Sequence, residues 1–444
     1  MGVAQRSMAF LVIFFMQLRI VISNISLLLI PAVLAFPGLL RAAPEDTVQA
    51  YVSASIMHDN NLLRLPEDVD PKTASGQSSA ADTIKQGSLG VKVDWRQSRQ
   101  EVILDASVNA SRHERFTSLD NQAINLQSRW NWQLGNKLSG NMGYNRSTSL
   151  GNFAELQHLA NNQSTQQNEF VAGAWQFNSS LRLNGALTHA SYSVANNAVY
   201  GNDSMSYTAG ASFTPSGGNE IGIRAVRQVQ VYPVLQAFSG VPVDNGFAQN
   251  QVLATVNWLY SGHIRANGQA GVLSRAHRQL SGRDFSGNTM RGTLTWFASG
   301  KGQVDLTAWN EIDAYDNLTT NFTRSKGFSL GPSWNPTGKL SVSARVQHLE
   351  REFQGDPVIT LFPALGIPVR QDTVNTASLS LNYQPVRSVN ISAGIQNERR
   401  YSNELSVNEA TSDPLVISHF KRLSEGSKLS YIDNTISLGM SFRF

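Results

Sequence analysis

The sequence predicts an all-β protein that crosses a membrane as an up-and-down antiparallel β-barrel of about 18 strands, with about 16 as the alternative count. Three observations support this fold class. Polar and apolar residues alternate in many short segments, the connections between those segments alternate between short and long, and the last segment keeps its alternation up to Phe444.

The N-terminal segment has the features of a signal peptide. Residues 20–40 contain no charged residue, follow Arg19 and are interrupted by two prolines. A removable signal combines a basic start, an apolar middle and small residues at the cleavage site. We therefore expect a signal peptide at residues 1–42 and a barrel at residues 43–444. Cleavage after Ala35 and a retained anchor are the alternatives.

The charge balance changes when that segment is set aside. It holds three of the 36 basic residues and none of the 32 acidic ones, so the remainder has 33 basic against 32 acidic residues. A net charge of about +1 gives no reason to expect nucleic-acid binding. The chain has no cysteine, which excludes disulfides and thiolate metal sites.

Alternation with a period of two indicates strands with one apolar and one polar face. Residues 124–134 show it best, because every even position except Ser128 is apolar and every odd position is polar. A mean hydropathy of −0.23 and a hydrophobic fraction of 41% argue against a bundle of membrane-spanning helices. The same alternation recurs at residues 88–96, 102–110, 340–347 and 389–396.

The connections fall into two classes. The short ones lie near 97–100, 135–137, 178–180, 214–219, 261–262, 299–302, 335–339 and 384–387. The long polar ones lie near 58–82, 116–120, 150–165, 193–203, 231–246, 278–286, 316–323, 354–371 and 402–427. Outer-membrane barrels have short periplasmic turns and long extracellular loops, so this pattern predicts the orientation of the chain.

Aromatic residues gather near the predicted strand ends. Many of them precede a short turn, as an aromatic girdle on the periplasmic side requires. They are Trp95, Trp130, Trp132, Trp175, Phe177, Trp258, Tyr260, Trp296 and Trp334. The last strand, residues 436–444, ends in Phe444 and resembles the signal that the outer-membrane assembly machinery reads. These features predict the outer membrane of a Gram-negative cell, reached by Sec-dependent export. A soluble, secreted β-rich protein is the alternative.

A barrel of about 18 strands is too wide for side chains to fill, so the apolar face must contact lipid and the polar face must line the lumen. Charged rings in a lumen set selectivity. The candidate solute-contacting residues on the polar face are Lys92, Arg129, Arg182, Arg224, Arg265, Arg291, Trp309 and Arg345.

Two interpretations of these residues stay open. The arginines could contact a passing solute, since a guanidinium donates two hydrogen bonds to a carboxylate. They could also pair with Asp94, Asp105, Asp305 and Glu311 and only hydrate the wall. Trp309 could be a platform for stacking a sugar or could pack against a loop.

Enzyme function is not expected. The sequence has no Gly-x-Ser-x-Gly elbow and no His-Glu-x-x-His motif. Its eight histidines are scattered, although a triad assembled in space would not be visible in sequence order. We predict no metal site and no cofactor.

The start of the predicted barrel carries a short motif. Residues 51–57 form a strand, and His58-Asp59-Asn60-Asn61-Leu62-Leu63-Arg64-Leu65 follows it. This motif resembles the opening of the EpsL-type barrels encoded in exosortase-B-linked exopolysaccharide operons, within the porin-2 barrel group. Here it contains one additional Asn. The length of the barrel and the terminal Phe agree with that group.

The resemblance implies a role in exporting an exopolysaccharide across the outer membrane, as in biofilm formation. It implies a polysaccharide cargo, together with periplasmic export and inner-membrane polymerisation partners, and it supplies no catalytic residue. The residues themselves predict contact with outer-membrane lipid and with the barrel-assembly machinery. A general or solute-selective porin is the alternative function.

Overall fold

The computed structural model describes residues 47–67, 69–151, 153, 162–195, 197–215, 218–238, 241–314, 322–354, 369–403 and 429–444. The expected signal peptide at residues 1–42 lies outside this range. So does most of the long loop predicted at 402–427.

Twenty strands lie in the described residues, and 18 of them form one sheet. The first nine are β1 Val48–Asp59, β2 Asp82–Gln97, β3 Gln100–His113, β4 Asn121–Leu134, β5 Leu138–Leu150, β6 Gln163–Gln176, β7 Leu181–Val194, β8 Asn202–Phe213 and β9 Glu220–Val231. Two three-residue strands, β10 Gln236–Phe238 and β11 Val241–Val243, pair with each other outside that sheet. The last nine are β12 Phe247–Ser261, β13 Ile264–His277, β14 Phe285–Ser299, β15 Gly302–Ala314, β16 Phe322–Thr337, β17 Leu340–Gln354, β18 Gln371–Val386, β19 Val389–Ser402 and β20 Tyr431–Arg443.

The sheet closes on itself. Each strand pairs antiparallel with its neighbour in sequence, and β9 pairs with β12. The first and last strands complete the circle, from Tyr51 opposite Arg443 to Asp59 opposite Thr435. A closed barrel leaves no strand edge with unpaired backbone groups, which is the condition for crossing a membrane with strands. The predicted count of 18 strands is confirmed.

Connections of the two classes lie at opposite ends of the barrel. The turn between β2 and β3 contains only Ser98 and Arg99, and Ser98 adopts a left-handed φ of 55°. In the turn before β7, the side chain of Asn178 accepts hydrogen bonds from the backbone of Ser180 and Leu181. Both ends of the barrel sequence lie at this end, where Ala50 and Phe444 exchange two backbone hydrogen bonds.

The strand register sorts the side chains into two faces, because residues directly opposite each other point to the same side. Leu89 lies opposite Val52 and Val108 on the apolar face. Lys92 lies opposite Gln49 and Asp105 on the polar face. The interpretation from sequence, in which alternate residues face lipid and lumen, therefore extends across neighbouring strands.

The apolar face is the outer surface of the barrel. Large apolar side chains on it are exposed, including Ile223 at 58%, Val272 at 56% and Ile436 at 60%. Tryptophans on this face cluster next to the short turns: Trp95, Trp130, Trp175, Trp296 and Trp334. An apolar band with an aromatic girdle is the surface that lipid covers. Among the described residues, no helix is long and apolar enough to span a membrane.

The loop between β1 and β2 folds towards the lumen, where it builds an apolar cluster. Leu62, Leu63 and Leu65 are almost fully buried. They pack with Ile84 of β2 and with residues of the next long loops, namely Phe116, Leu119 and Phe153. The same loop contains a helix, α1 Pro71–Ser75, which the sequence pattern did not indicate; Asp70 caps it by accepting a hydrogen bond from the backbone of Lys72.

Candidate functional site: the lumen wall

The polar face forms the concave side of the wall. One recess between β1 and β5 is lined by Ser53, Gln86, Ser88 and Asn109, among others. A second, centred on β3 to β6, is lined by Tyr51, Asp105, Asn125 and Gln127, among others. All of these residues belong to the polar face by register. The space that this face encloses is therefore lined with polar groups.

All eight candidate residues lie on the polar face. Arg129 lies opposite Gly143, Arg182 opposite Ser212, and Arg265 opposite Thr295. Arg224 lies opposite Gly210, and Arg345 opposite Ser378. The remaining three are Lys92 opposite Asp105, Arg291 opposite Trp309, and Trp309 opposite Gly327. Their predicted contact with a solute stays a prediction.

Arg291, Trp309 and Glu311 form a contact group on β14 and β15. Arg291 makes two hydrogen bonds to the carboxylate of Glu311, from Nε to Oε1 at 2.9 Å and from Nη2 to Oε2 at 2.5 Å. Its guanidinium carbon lies 5.0 Å from the ring centroid of Trp309. This geometry combines a bidentate ion pair with a cation–π contact. Arg291 therefore follows the second interpretation, in which an arginine pairs within the wall.

Trp309 packs against the wall. Its ring lies over Gly327 on β16, so closely that a methyl group at Gly327 would overlap the ring. With Gly327 beneath it and Arg291 beside it, the ring is held against the wall. Tyr51 lies over Gly90 in the same way, and its hydroxyl donates a hydrogen bond of 2.8 Å to Asp105. Aromatic rings over cross-strand glycines fix the strand register.

The other six cationic candidates make no ion pair with any residue in the described part of the chain. They are Lys92, Arg129, Arg182, Arg224, Arg265 and Arg345. Arg224 donates a hydrogen bond of 2.7 Å to Gln269, and the guanidinium of Arg265 lies 5.8 Å from the ring centroid of Phe297. These six lie closer to the short turns than to the long loops, at different heights on different strands.

At the opposite end, the mouth, one group of charged residues is paired and largely buried. Asp372 on β18 accepts hydrogen bonds from Arg370 at 2.8 Å and from Arg400 at 2.5 Å. The side chains of Asp372 and Arg400 are 0% and 2% exposed. Next to them, Tyr431 on β20 donates a hydrogen bond of 2.6 Å to Glu398. This network joins the last strands of the barrel to one another.

A second ion-pair group fastens the first long loop to the wall. Arg64 contacts Asp59 at 2.9 Å and Asp433 at 3.0 Å. Burial alone would lower the pKa of Arg64, but the two carboxylates outweigh it and raise that pKa above its usual value. Asn61 adds a hydrogen bond of 3.0 Å to the backbone of Ile432. The loop is thereby tied to both β1 and β20.

Sequence reasoning did not assign these mouth residues to a site, although the signal was present. Asp59, Asn61 and Arg64 belong to the motif at residues 58–65 on which the family resemblance depends. In the structure the motif forms a tight turn, with Arg64 at a left-handed φ of 57° and Asn61 bonded to both backbone groups of Leu65. Its leucines enter the apolar cluster and its polar residues make the ion pairs.

No group of three or more His, Asp or Glu residues within the described ranges is placed to hold a metal ion. Histidines in the described ranges lie next to carboxylate, amide or hydroxyl groups, and His189 contacts two carboxylates, Glu169 at 3.5 Å and Asp203 at 3.8 Å. His277 lies 3.3 Å from Asp284, and His348 lies 2.7 Å from the side-chain oxygen of Asn375.

Solved structures similar to this chain are outer-membrane proteins. The outer membrane protein OpdK of Pseudomonas aeruginosa is 9% identical, with 90% of this chain and 100% of that chain covered and a TM-score of 0.48. OccK2 (OpdF) of the same species, in complex with glucuronate, is 10% identical, with coverages of 89% and 98% and a TM-score of 0.47. A BenF-like porin of Pseudomonas fluorescens Pf-5 is 9% identical, with coverages of 90% and 99% and a TM-score of 0.47. No family model matches the chain, and no curated protein matches it.

Proposed function

We propose that this protein is an outer-membrane channel that passes small polar solutes and prefers anions. The observation that carries the proposal is the group of six lumen cations without an ion-pair partner in the described residues. The acids on the same part of the wall are fewer, and Asp105 and Asp305 already accept hydrogen bonds from Tyr51 and Thr295. A wall of this composition attracts anions.

The barrel supports a location in the outer membrane. Its closed sheet has no free edge, its outer face is apolar and its tryptophans form a girdle beside the short turns. Each of these features is required of a barrel that spans a bilayer. The short turns then face the periplasm, and the paired charges of the mouth face the cell exterior.

The test is a measurement of ion selectivity in planar bilayers. The purified protein is inserted between KCl solutions of unequal concentration, and the reversal potential is recorded. We expect the sign that corresponds to chloride passing faster than potassium. A cation-selective reversal potential, or no conductance from protein that is shown to be folded, would contradict the proposal.

Export of an exopolysaccharide is the second candidate function, and the motif at residues 58–65 supports it. The structure adds an observation against a wide path, since the first long loop folds towards the lumen and is fixed there by Arg64. Deleting the gene and measuring surface polysaccharide tests this candidate. An unchanged amount would argue against it and would leave the channel proposal intact.

A further inference from the structure

The eight short turns that connect the strands at one end of the barrel carry charges of one sign. Five of them contain a lysine or an arginine, and none contains Asp or Glu. The long connections differ, since residues 60–81 alone hold three acidic and two basic residues. The five cations of the short turns, here named the cationic arc, are all exposed: Arg99, Lys137, Lys301, Lys339 and Arg387.

The turns of the cationic arc are neighbours around the barrel. They connect β14 to β15, β16 to β17, β18 to β19, β2 to β3 and β4 to β5, and the closing pair of β20 and β1 lies among them. The three turns without lysine or arginine adjoin one another on the remaining side. The positive charge is therefore concentrated at the ends of twelve of the 18 strands.

Acidic side chains near these turns do not neutralise the cationic arc. Asp94 of β2 and Glu101 of β3 both pair with Arg96, at 3.0 Å and 2.8 Å. Glu220 begins β9, which lies on the side of the barrel without turn cations. The three lysines of the arc make no ion pair with any residue that the structure describes.

Hydrogen bonds between neighbouring hairpins hold two of these lysines along the rim. The ammonium of Lys301 donates to the backbone carbonyl of Pro336 at 3.0 Å, and the ammonium of Lys339 donates to the backbone carbonyl of Pro385 at 2.7 Å. A lysine ammonium has three donors. Each of these lysines is therefore fixed in position by one donor and has two more to offer to an acceptor outside the protein.

The cationic arc lies at the level of lipid headgroups. Trp296 and Trp334 of the aromatic girdle are 52% and 56% exposed on the outer face, and Lys301 and Lys339 follow them in the next turns. Three residues of about 3.3 Å each, on a strand tilted by about 40°, place the end of β14 about 8 Å beyond Trp296 along the membrane normal. The headgroup layer of one leaflet is about 5–8 Å thick. Lipids whose acyl chains cover the girdle therefore have their phosphates within reach of these lysines.

We propose that the cationic arc binds the phosphate groups of anionic glycerophospholipids in the leaflet next to the periplasm. A phosphate accepts charge-assisted hydrogen bonds from ammonium and guanidinium groups. A lipid fits the arc better than an acidic protein does, because the cations follow the circumference in a single row. A stable protein interface instead needs a compact patch of about 800 Å² on each partner. The inference goes beyond the proposed channel function and does not depend on it.

The experiment measures how strongly lipids quench the tryptophans of the girdle. The protein is reconstituted in phosphatidylcholine vesicles that contain increasing fractions of brominated phosphatidylglycerol or brominated phosphatidylcholine. Because bromine quenches tryptophan on contact, the two curves give the affinity of the barrel surface for the anionic lipid relative to the zwitterionic one. We expect a preference of about fivefold for phosphatidylglycerol, the factor that one cation at an anionic surface contributes.

The test variant combines Lys137→Gln, Lys301→Gln and Lys339→Gln, and it should reduce the preference to less than about twofold. A second variant with arginine at the same three positions should keep the preference, because it keeps the charge. Mobility of the folded barrel on a gel shows that each variant has folded.

The matched control removes three cations from the other end of the barrel. It combines Arg146→Gln, Arg324→Gln and Lys326→Gln, which are exposed residues that make no ion pair within the described ranges. They lie on the outer face, opposite Leu126, Ile312 and Asn310. This control should keep the preference for phosphatidylglycerol.

Three outcomes would overturn the inference. The first is an unsubstituted, folded barrel without lipid preference, which would leave an acidic protein as the partner of the arc. The second is a control variant that loses as much preference as the lysine variant, because binding would then not be confined to the short turns. The third is a loss of preference in the arginine variant, which would assign the effect to the shape of the turns. A missing ion current would affect only the proposed channel function.

Discussion

Two sets of arginines, one at the mouth and one in the half of the lumen next to the short turns, differ in their burial and in their partners. At the mouth, Arg400 is buried against Asp372, and Arg64 is partly buried against Asp59 and Asp433. Nearer the short turns, Arg129 and Arg182 are exposed and make no ion pair with the described residues. Sequence alone places Arg129 and Arg182 on the polar face and Arg64 in the long loop at 58–82, and it assigns no partner to any of them. Only the register and the loops decide which of them stabilise the wall and which remain available to a solute.

This difference has an energetic basis. A buried ion pair adds little net stability when both partners are present, but removing one partner leaves an uncompensated charge and is costly. An exposed arginine in a wet lumen contributes little to stability, because water solvates it in either state. Substitutions at the mouth should therefore affect folding, and those in the lower wall, the part of the lumen wall next to the short turns, should affect permeation.

The largest effect is expected from Asp372→Ala at the mouth. Two arginines would then lose the carboxylate that they share, and Arg400 would stay buried without it. We expect the free energy of unfolding to fall by about 3 kcal/mol. Urea unfolding, followed by the mobility of the folded barrel on a gel, measures this change.

The control for that prediction is Asp94→Ala. Asp94 also binds an arginine, Arg96, but their side chains are 32% and 69% exposed. It should lose less than about 1 kcal/mol. Equal losses at Asp372 and Asp94 would show that the mouth network has no special role in stability.

A smaller effect on stability, with a visible effect on conductance, is expected from Arg64→Ala. The variant leaves Asp59 and Asp433 close together without their cation, so the first long loop should detach from the wall. We expect about 2 kcal/mol of lost stability and a larger single-channel conductance. Lys72→Ala, an exposed position in the same loop, should change neither quantity. A conductance unaffected by Arg64→Ala would show that the loop does not narrow the path.

The next effect concerns the ring of Trp309 on β15, which packs against Gly327 of β16. Gly327→Ala would place a methyl group where the ring of Trp309 lies. The strained packing should cost about 1–2 kcal/mol, and the displaced ring should lower the single-channel conductance. Gly331→Ala is the control on the same strand, because a methyl group there has its nearest neighbour at 3.8 Å. Identical behaviour of the two variants would contradict the packing described for Trp309.

The smallest effect is expected from Arg129→Gln in the lower wall. Stability should change by less than about 0.5 kcal/mol, and the reversal potential should move modestly towards cation preference. Arg227→Gln is the matched control, because Arg227 lies opposite Tyr207 on the outer face. Its reversal potential should equal that of the unsubstituted protein. A larger shift at Arg227 than at Arg129 would reverse the assignment of the two faces.

The fold could be predicted from sequence because the alternation of polar and apolar side chains along a strand is a local pattern. Each strand repeats every two residues, so residues 124–134 alone indicate which face Arg129 occupies. The mouth could not be predicted, because Arg64 and Asp433 are separated by almost the whole barrel. The apolar cluster has the same difficulty: Leu63, Phe116 and Phe153 come from three loops, and no local pattern links them.

The sequence could predict on which face of the barrel each candidate residue lies, but it could not predict which residue each of them contacts. Arg291 and Glu311 pair because β14 and β15 align in one particular register, and a shift by two residues would separate them on the same face. Gly327 carries no signal of its own in the sequence. Its importance depends on Trp309, a residue of the adjacent strand.

The pairing of β1 with β20 closes the barrel, and it has a consequence for the order in which the barrel assembles. β1 pairs on that side with β20, so the sheet keeps two unpaired edges until these two strands, which are far apart in the sequence, meet. Arg64 and Asn61 contact Asp433 and Ile432, which lie on the same strand, β20. Closure of the barrel and attachment of the first long loop to the wall are therefore one event. A barrel in which β1 and β20 have not yet paired cannot have the mouth described above.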